Sequence, residues 1–195
     1  MTLYQAAILG IIQGITEFLP VSSSGHLILI PSFLGWQLQS LAFDVVLHLG
    51  TAFAVLMYFW KDWYKMIHSL SQDVLTGDIT KWSRMRDKTR LFITILLVSF
   101  PVGLAGIFLE DSIENFFRSP TLVATMLILV SFVMLFADKY SSSTLDKKQK
   151  VSFIDSLFIS LSQILAMIPG TSRSGITIST ALFRKISRQE AARFS

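Results

Sequence analysis

Charge in this 195-residue chain is confined to a few short stretches, and long apolar runs fill the space between them. A water-soluble globule spreads polar side chains over most of its exterior and carries about 25% charged residues. Here only 15% are charged and 52% are apolar, with a mean hydropathy of +0.57. A disordered chain, a nucleic-acid-binding domain and an ordinary cytosolic enzyme are excluded. The pattern is that of an all-α integral membrane protein. The formal net charge of +4 is explained by basic residues gathered in loops that flank a membrane. With no cysteine there is no disulfide framework, thiol catalysis or zinc–thiolate site. The N-terminus, Met1-Thr-Leu-Tyr-Gln-Ala-Ala7, lacks the basic region of a cleaved signal peptide.

Five apolar segments cover residues 3–19, 43–60, 91–109, 121–137 and 153–168, and two shorter ones, 26–35 and 176–183, each follow a Ser/Gly-rich break. Crossing the roughly 30 Å hydrocarbon core takes about 20 helical residues. Segments 43–60, 91–109 and 121–137 approach that length, whereas 26–35 and 176–183 reach about halfway at best. Basic residues concentrate in 61–90, 138–150 and 184–193 and are nearly absent from 36–42 and 110–120. The first three stretches are therefore expected in the cytoplasm and the last two outside. Residues between 150 and 184 must then enter and return as a hairpin, turning at Pro169-Gly-Thr-Ser-Arg-Ser-Gly175.

A shift of 150 positions aligns Gln13 with Gln163, Ser22 with Ser172, Ser24 with Ser174 and Gly25 with Gly175. Residues 3–35 then form a matching hairpin that enters from the opposite face. Two re-entrant helical hairpins in an inverted-topology repeat are the expected architecture, a pattern that places a substrate site where interrupted helices meet. The chain reads as a single membrane domain, 1–195, with a first repeat over about 1–137 and a second, incomplete one over about 150–195. A C-terminal truncation is expected from that incompleteness.

Gln13 and Glu17 lie four residues apart and share a helix face. An ionisable group in an apolar segment is costly and marks a functional site by default. The loop Pro20-Val-Ser-Ser-Ser-Gly-His26 supplies the hydroxyls of Ser22, Ser23 and Ser24 and the imidazole of His26. Such residues cap helix N-termini, and a helix N-terminus is also a ready anion site. The second loop adds the hydroxyls of Thr171, Ser172 and Ser174 and the guanidinium of Arg173, which offers bidentate donors to phosphate oxygens. Brought together, these are the parts for phosphoryl transfer, where catalysis is mostly positioning and charge stabilisation. His48 and His68 lie outside both motifs and receive no role.

Gln13-Gly-Ile-Thr-Glu17-Phe-Leu-Pro-Val-Ser-Ser-Ser-Gly-His26 resembles the (Glu/Gln)-x-x-x-Glu motif and adjoining loop of bacterial undecaprenyl-diphosphate phosphatases, the bacitracin-resistance family. Pro169-Gly-Thr-Ser-Arg-Ser-Gly-Ile-Thr177 resembles that family's Pro-Gly-x-Ser-Arg-Ser motif. The resemblance implies a multi-pass enzyme of the bacterial plasma membrane that removes one phosphate from the polyprenyl diphosphate carrier of cell-wall synthesis. It implies Glu17, Ser23, His26 and Arg173 as catalytic residues. Gln13, Ser22, Ser24, Thr171, Ser172 and Ser174 would bind substrate. Mg²⁺ or Ca²⁺ would sit on Glu17. Substrate and membrane lipids are the implied partners, nucleic acid is not, and a homo-oligomer is admitted but not required. Ser23, deprotonated by His26, would attack phosphorus, or His26 would activate water. A lipid-phosphate transporter and an inactive truncated paralogue are the rival readings.

Overall fold

The computed structural model describes residues 1–143 and 147–195, with residues 110–116 described by their backbone alone. Among the described residues the secondary structure is helical, apart from one isolated bridge between Lys148 and Ile186. In chain order the helices are α1 (Leu3–Thr16), α2 (Ser23–Phe33), α3 (Leu41–Tyr58), α4 (Trp60–Leu75), α5 (Asp87–Phe116), α6 (Pro120–Ser143), α7 (Phe153–Ser162), α8 (Arg173–Phe183) and α9 (Arg188–Phe194).

Three of these are long and apolar enough to cross a membrane: α3, the Asp87–Leu109 part of α5, and α6. They match the three segments the sequence singles out. Large side chains such as Phe53, Phe100 and Phe136 are exposed on them, as expected where lipid is the solvent. α2 and α8 are 11 residues each, about 16 Å long and roughly half the hydrocarbon thickness.

The helices extend beyond the apolar runs at several points. α5 continues to Phe116, so the expected outer loop 110–120 is shorter than predicted; the acidic side chains at 110, 111 and 114 lie outside the described side chains. Hydropathy reports where lipid contact ends, whereas the backbone hydrogen-bond ladder continues through good helix formers. The stretch 61–90 is not a simple loop either. It contains α4, which buries Met66, Ser69 and Asp73 on one face and packs against α5. Fully buried Asp73 accepts hydrogen bonds from the Arg86 backbone at 2.9 Å and from the Arg86 guanidinium. Burial raises its pKa, but hydrogen bonds from Thr89 and Arg86 outweigh that and hold the carboxyl below its usual range. α9, likewise unforeseen, is capped by Ser187, whose hydroxyl accepts from the Glu190 N–H.

The interior is built around α8, which packs on α6, α7 and α9. Ala137, Ala181 and Ala191 are buried there with Ile159, Leu182 and Ile186; small side chains let helix backbones approach closely. Asp155, near the start of α7, is fully buried. It accepts from Lys148 Nζ at 3.0 Å, Ser152 Oγ at 2.7 Å and Arg184 Nε at 2.8 Å. Burial opposes its ionisation, yet these donors prevail and bring its pKa down to about 2.

The offset of 150 positions recurs in the local structure at several helix ends. α1 and α7 begin 150 positions apart, each with a reciprocal N-terminal cap, Thr2 with Gln5 and Ser152 with Asp155. α2 and α8 have the same length and the same offset at both ends, capped by Ser22 and Ser172 through the N–H groups of Gly25 and Gly175.

Candidate active site

α1 ends where Glu17 caps it, its N–H bonded to the Gln13 carbonyl at 2.9 Å. The chain then turns through 18–21 and enters α2 at Ser22, whose φ of 64° is left-handed although it is not glycine. Such backbone is uncommon and concentrates at functional sites. The second loop turns at Gly170, with φ at 91°. A β-carbon there would lie 2.5 Å from the Val123 carbonyl oxygen on α6, so only glycine lets this turn seat against α6.

The two loops meet. A β-carbon on Gly25 would come 3.4 Å from Gly170 Cα, and the Ser174 hydroxyl donates to the Leu19 carbonyl at 3.3 Å. The main link is the Arg173 guanidinium, which donates to Glu17 Oε1 across 156 residues of sequence. The Glu17 side chain is 9% exposed and that of Arg173 59%. On the other carboxylate oxygen, Oε2, Ser23 Oγ donates at 2.5 Å and Gln13 Nε2 at 3.0 Å. Gln13, Glu17, Ser23 and Arg173 therefore form one connected group.

His26 stands one turn into α2. Its Nδ1 lies 2.8 Å from the Ser22 carbonyl oxygen; a carbonyl only accepts, so Nδ1 carries the proton and Nε2 is left as the available nitrogen. The Ser23 hydroxyl is bonded to Glu17 rather than to His26. Ser22 and Ser172 are buried helix caps, each paired with the next hydroxyl but one, Ser24 and Ser174, at 3.3 Å. Thr171 is 2% exposed and its Oγ1 has no partner. The first backbone N–H groups of α2 and α8 flank the same junction, where two positive dipole ends favour an anion.

His48 is the residue that sequence reasoning passed over. It comes from α3, with Nε2 3.7 Å from Glu17 Oε2. The signal was present: an ionisable side chain within an apolar, membrane-length helix. Asp44, one turn earlier, had the same signal. It binds Arg118 Nη2 at 2.8 Å and Gln39 Nε2 at 2.7 Å.

Among the described residues, no three His, Cys, Asp or Glu side chains gather to hold a metal. The Glu17 carboxylate and, one helical turn earlier, Gln13 Oε1, a buried oxygen with no hydrogen-bond partner, are nevertheless hard donors. Ions such as Mg²⁺ use one or two protein oxygens, several waters and substrate phosphates. The residues present fit such a shared ion.

A family model described as bacitracin resistance protein BacA matches residues 6–195. Curated relatives named undecaprenyl-diphosphatase include one from Desulforudis audaxviator, 44% identical over 195 residues. Another, from Geotalea daltonii, is 46% identical over 196 residues. Both alignments cover 100% of this chain and 70% of the relative. A third, from Thermodesulfovibrio yellowstonii, is 40% identical over 99% of this chain and 68% of its own length. The match spans both loops and the helices that carry them, and the chain belongs to the bacitracin resistance protein BacA family.

Proposed function

We propose that the chain is an undecaprenyl-diphosphate phosphatase, which hydrolyses the polyprenyl diphosphate carrier to its monophosphate and inorganic phosphate. The observation that carries this reading is the Glu17–Arg173 pair joining the two polar loops, with the Ser23 hydroxyl on the same carboxylate. A transporter needs groups that bind the headgroup; a hydroxyl hydrogen-bonded to a carboxylate base is equipment for chemistry.

The carrier's tail lies among apolar helix faces and its diphosphate enters between the loops. Arg173 turns from Glu17 to the phosphoryl oxygens, where its charge and the N–H groups opening α2 and α8 offset the charge that builds during transfer. Ser23 Oγ attacks the terminal phosphorus while Glu17 Oε2 takes its proton. The bond from phosphorus to the bridging oxygen breaks, and the monophosphate lipid leaves with that oxygen. His26, held through Nδ1, uses Nε2 to take a proton from the water that attacks the phosphoserine, and Glu17 returns its proton to Ser23 Oγ as the phosphorus–Oγ bond breaks. Gln13 orients Glu17 through its amide. A divalent cation held by Glu17 and Gln13 would supply further charge neutralisation at the phosphates. Ser24, Thr171 and Ser174 add hydroxyls around the headgroup, and Ser22 and Ser172 hold the half-helices that present it.

The reading extends to topology. α1–α2 and α7–α8 act as two re-entrant hairpins of an inverted repeat in the bacterial plasma membrane. The equal lengths of α2 and α8, the corresponding caps and the 150-residue offset of the helix starts support this. Phosphate release from undecaprenyl diphosphate by the purified chain tests the function; binding of the lipid without release would favour a transporter.

A further inference from the structure

The position of His48 adds something to this picture. Its Nδ1 lies 2.8 Å from the Asp44 carbonyl oxygen, one helical turn back. Because that oxygen can only accept, Nδ1 donates to it, which turns the other ring nitrogen, Nε2, away from the helix backbone. Nε2 faces Glu17 Oε2 at 3.7 Å. The separation is too long for an N–H···O hydrogen bond. A cation seated between Nε2 and the carboxylate would be held by both groups. Two ligands of one ion, each about 2.1 Å from it, readily span such a gap. Metal-bound imidazoles characteristically donate their other N–H to a carbonyl or carboxylate, as Nδ1 of His48 does here. Gln13, only 1% exposed, donates its amide nitrogen to the same carboxylate, and the oxygen of that amide, Oε1, is buried without a partner. His26 has the same kind of Nδ1 bond but makes no such contact with Glu17 among the described residues.

We infer that His48 Nε2 is a nitrogen ligand of the divalent cation at Glu17, completed by Gln13 Oε1. This rests on the proposal above that a cation sits on Glu17. A mixed nitrogen–oxygen set gives the site greater affinity for first-row transition ions than an all-oxygen set has.

The test uses the whole chain in detergent, without substrate, titrated with Mn²⁺ and followed by electron paramagnetic resonance. The bound Mn²⁺ is expected to show nitrogen hyperfine coupling. His48→Gln, which offers an amide oxygen, should keep Mn²⁺ but lose the coupling, and His48→Leu should weaken binding at least about tenfold. His26→Gln should leave the coupling intact. Mn²⁺ bound in a Glu17-dependent way without nitrogen coupling, or with coupling that survives His48→Gln, would overturn the assignment while leaving the cation in place. Failure of Mn²⁺ to bind would overturn both. Coupling through His48 in a chain that releases no phosphate would instead remove the phosphatase reading and leave this one standing.

Discussion

At the residue scale, Glu17 is the hub: its carboxylate accepts from Arg173, Ser23 and Gln13 and faces His48. Removing it leaves the guanidinium and the serine without a partner. Glu17→Ala and Arg173→Ala are each expected to lower the rate of phosphate release by at least about 10²-fold, the usual scale for a lost charge-stabilising group. Membrane insertion, checked by fractionation, should be unchanged. Full turnover by Arg173→Ala would defeat the assignment. Arg173→Lys keeps the charge but loses the planar fork, so it should recover only part of the rate. Ser23→Ala separates the two routes to phosphorus. With serine as nucleophile the rate falls about as far as in Glu17→Ala, whereas a water mechanism spares most of it; phosphate-release kinetics decide between them. The motif residues were legible because hydroxyls, an acid and a guanidinium are conspicuous in apolar surroundings. His48 was not, because it belongs to no motif and gains its meaning from an acid 31 positions earlier in the sequence.

At the scale of elements, half-helices α2 and α8 are held by their caps and by contact with α6. Gly170→Ala would drive a β-carbon against the Val123 carbonyl at a left-handed φ. A loss of about 1–3 kcal/mol is expected, read as a lower thermal midpoint in detergent. The N-terminus of α3 is tied down by the Asp44–Arg118 pair, whose side chains are 12% and 11% exposed. Arg118→Met strands a buried carboxylate and should cost about 3–5 kcal/mol, with much of it recovered in the Arg118→Met/Asp44→Leu double variant. Asp155 predicts a pH dependence. Its folded pKa of about 2 lies below the ordinary 3.8. The stabilisation is therefore complete above about pH 4 and lost as pH falls toward 2. Asp155→Asn should remove this part of the acid sensitivity in thermal melts across that window. The apolar runs located the membrane-length helices, but α4 and α9 escaped notice. Their polar faces resemble loops until a neighbouring helix covers the other side.

For the whole molecule, the charge pattern predicts which loops share a side of the membrane. Single cysteines are clean reporters because the chain has none. Gln37→Cys is expected to react with an impermeant thiol reagent in intact cells, and Ser83→Cys only after permeabilisation. The opposite pattern would reverse the orientation, and labelling of both from one side would show that α3 does not cross. Helical class, three membrane-length segments, two half-length ones and the motif residues all followed from the sequence, because hydropathy and helix-capping chemistry are local. The 150-position offset between the starts and caps of α2 and α8 was also legible from spacing. Tertiary structure alone decided that Arg173 lands on Glu17, that the Ser23 hydroxyl turns to that carboxylate instead of His26, and that His48 arrives from α3. Those outcomes depend on how α1, α2, α3 and α8 come together, and contacts between residues 6 to 156 positions apart leave no periodic trace in a sequence.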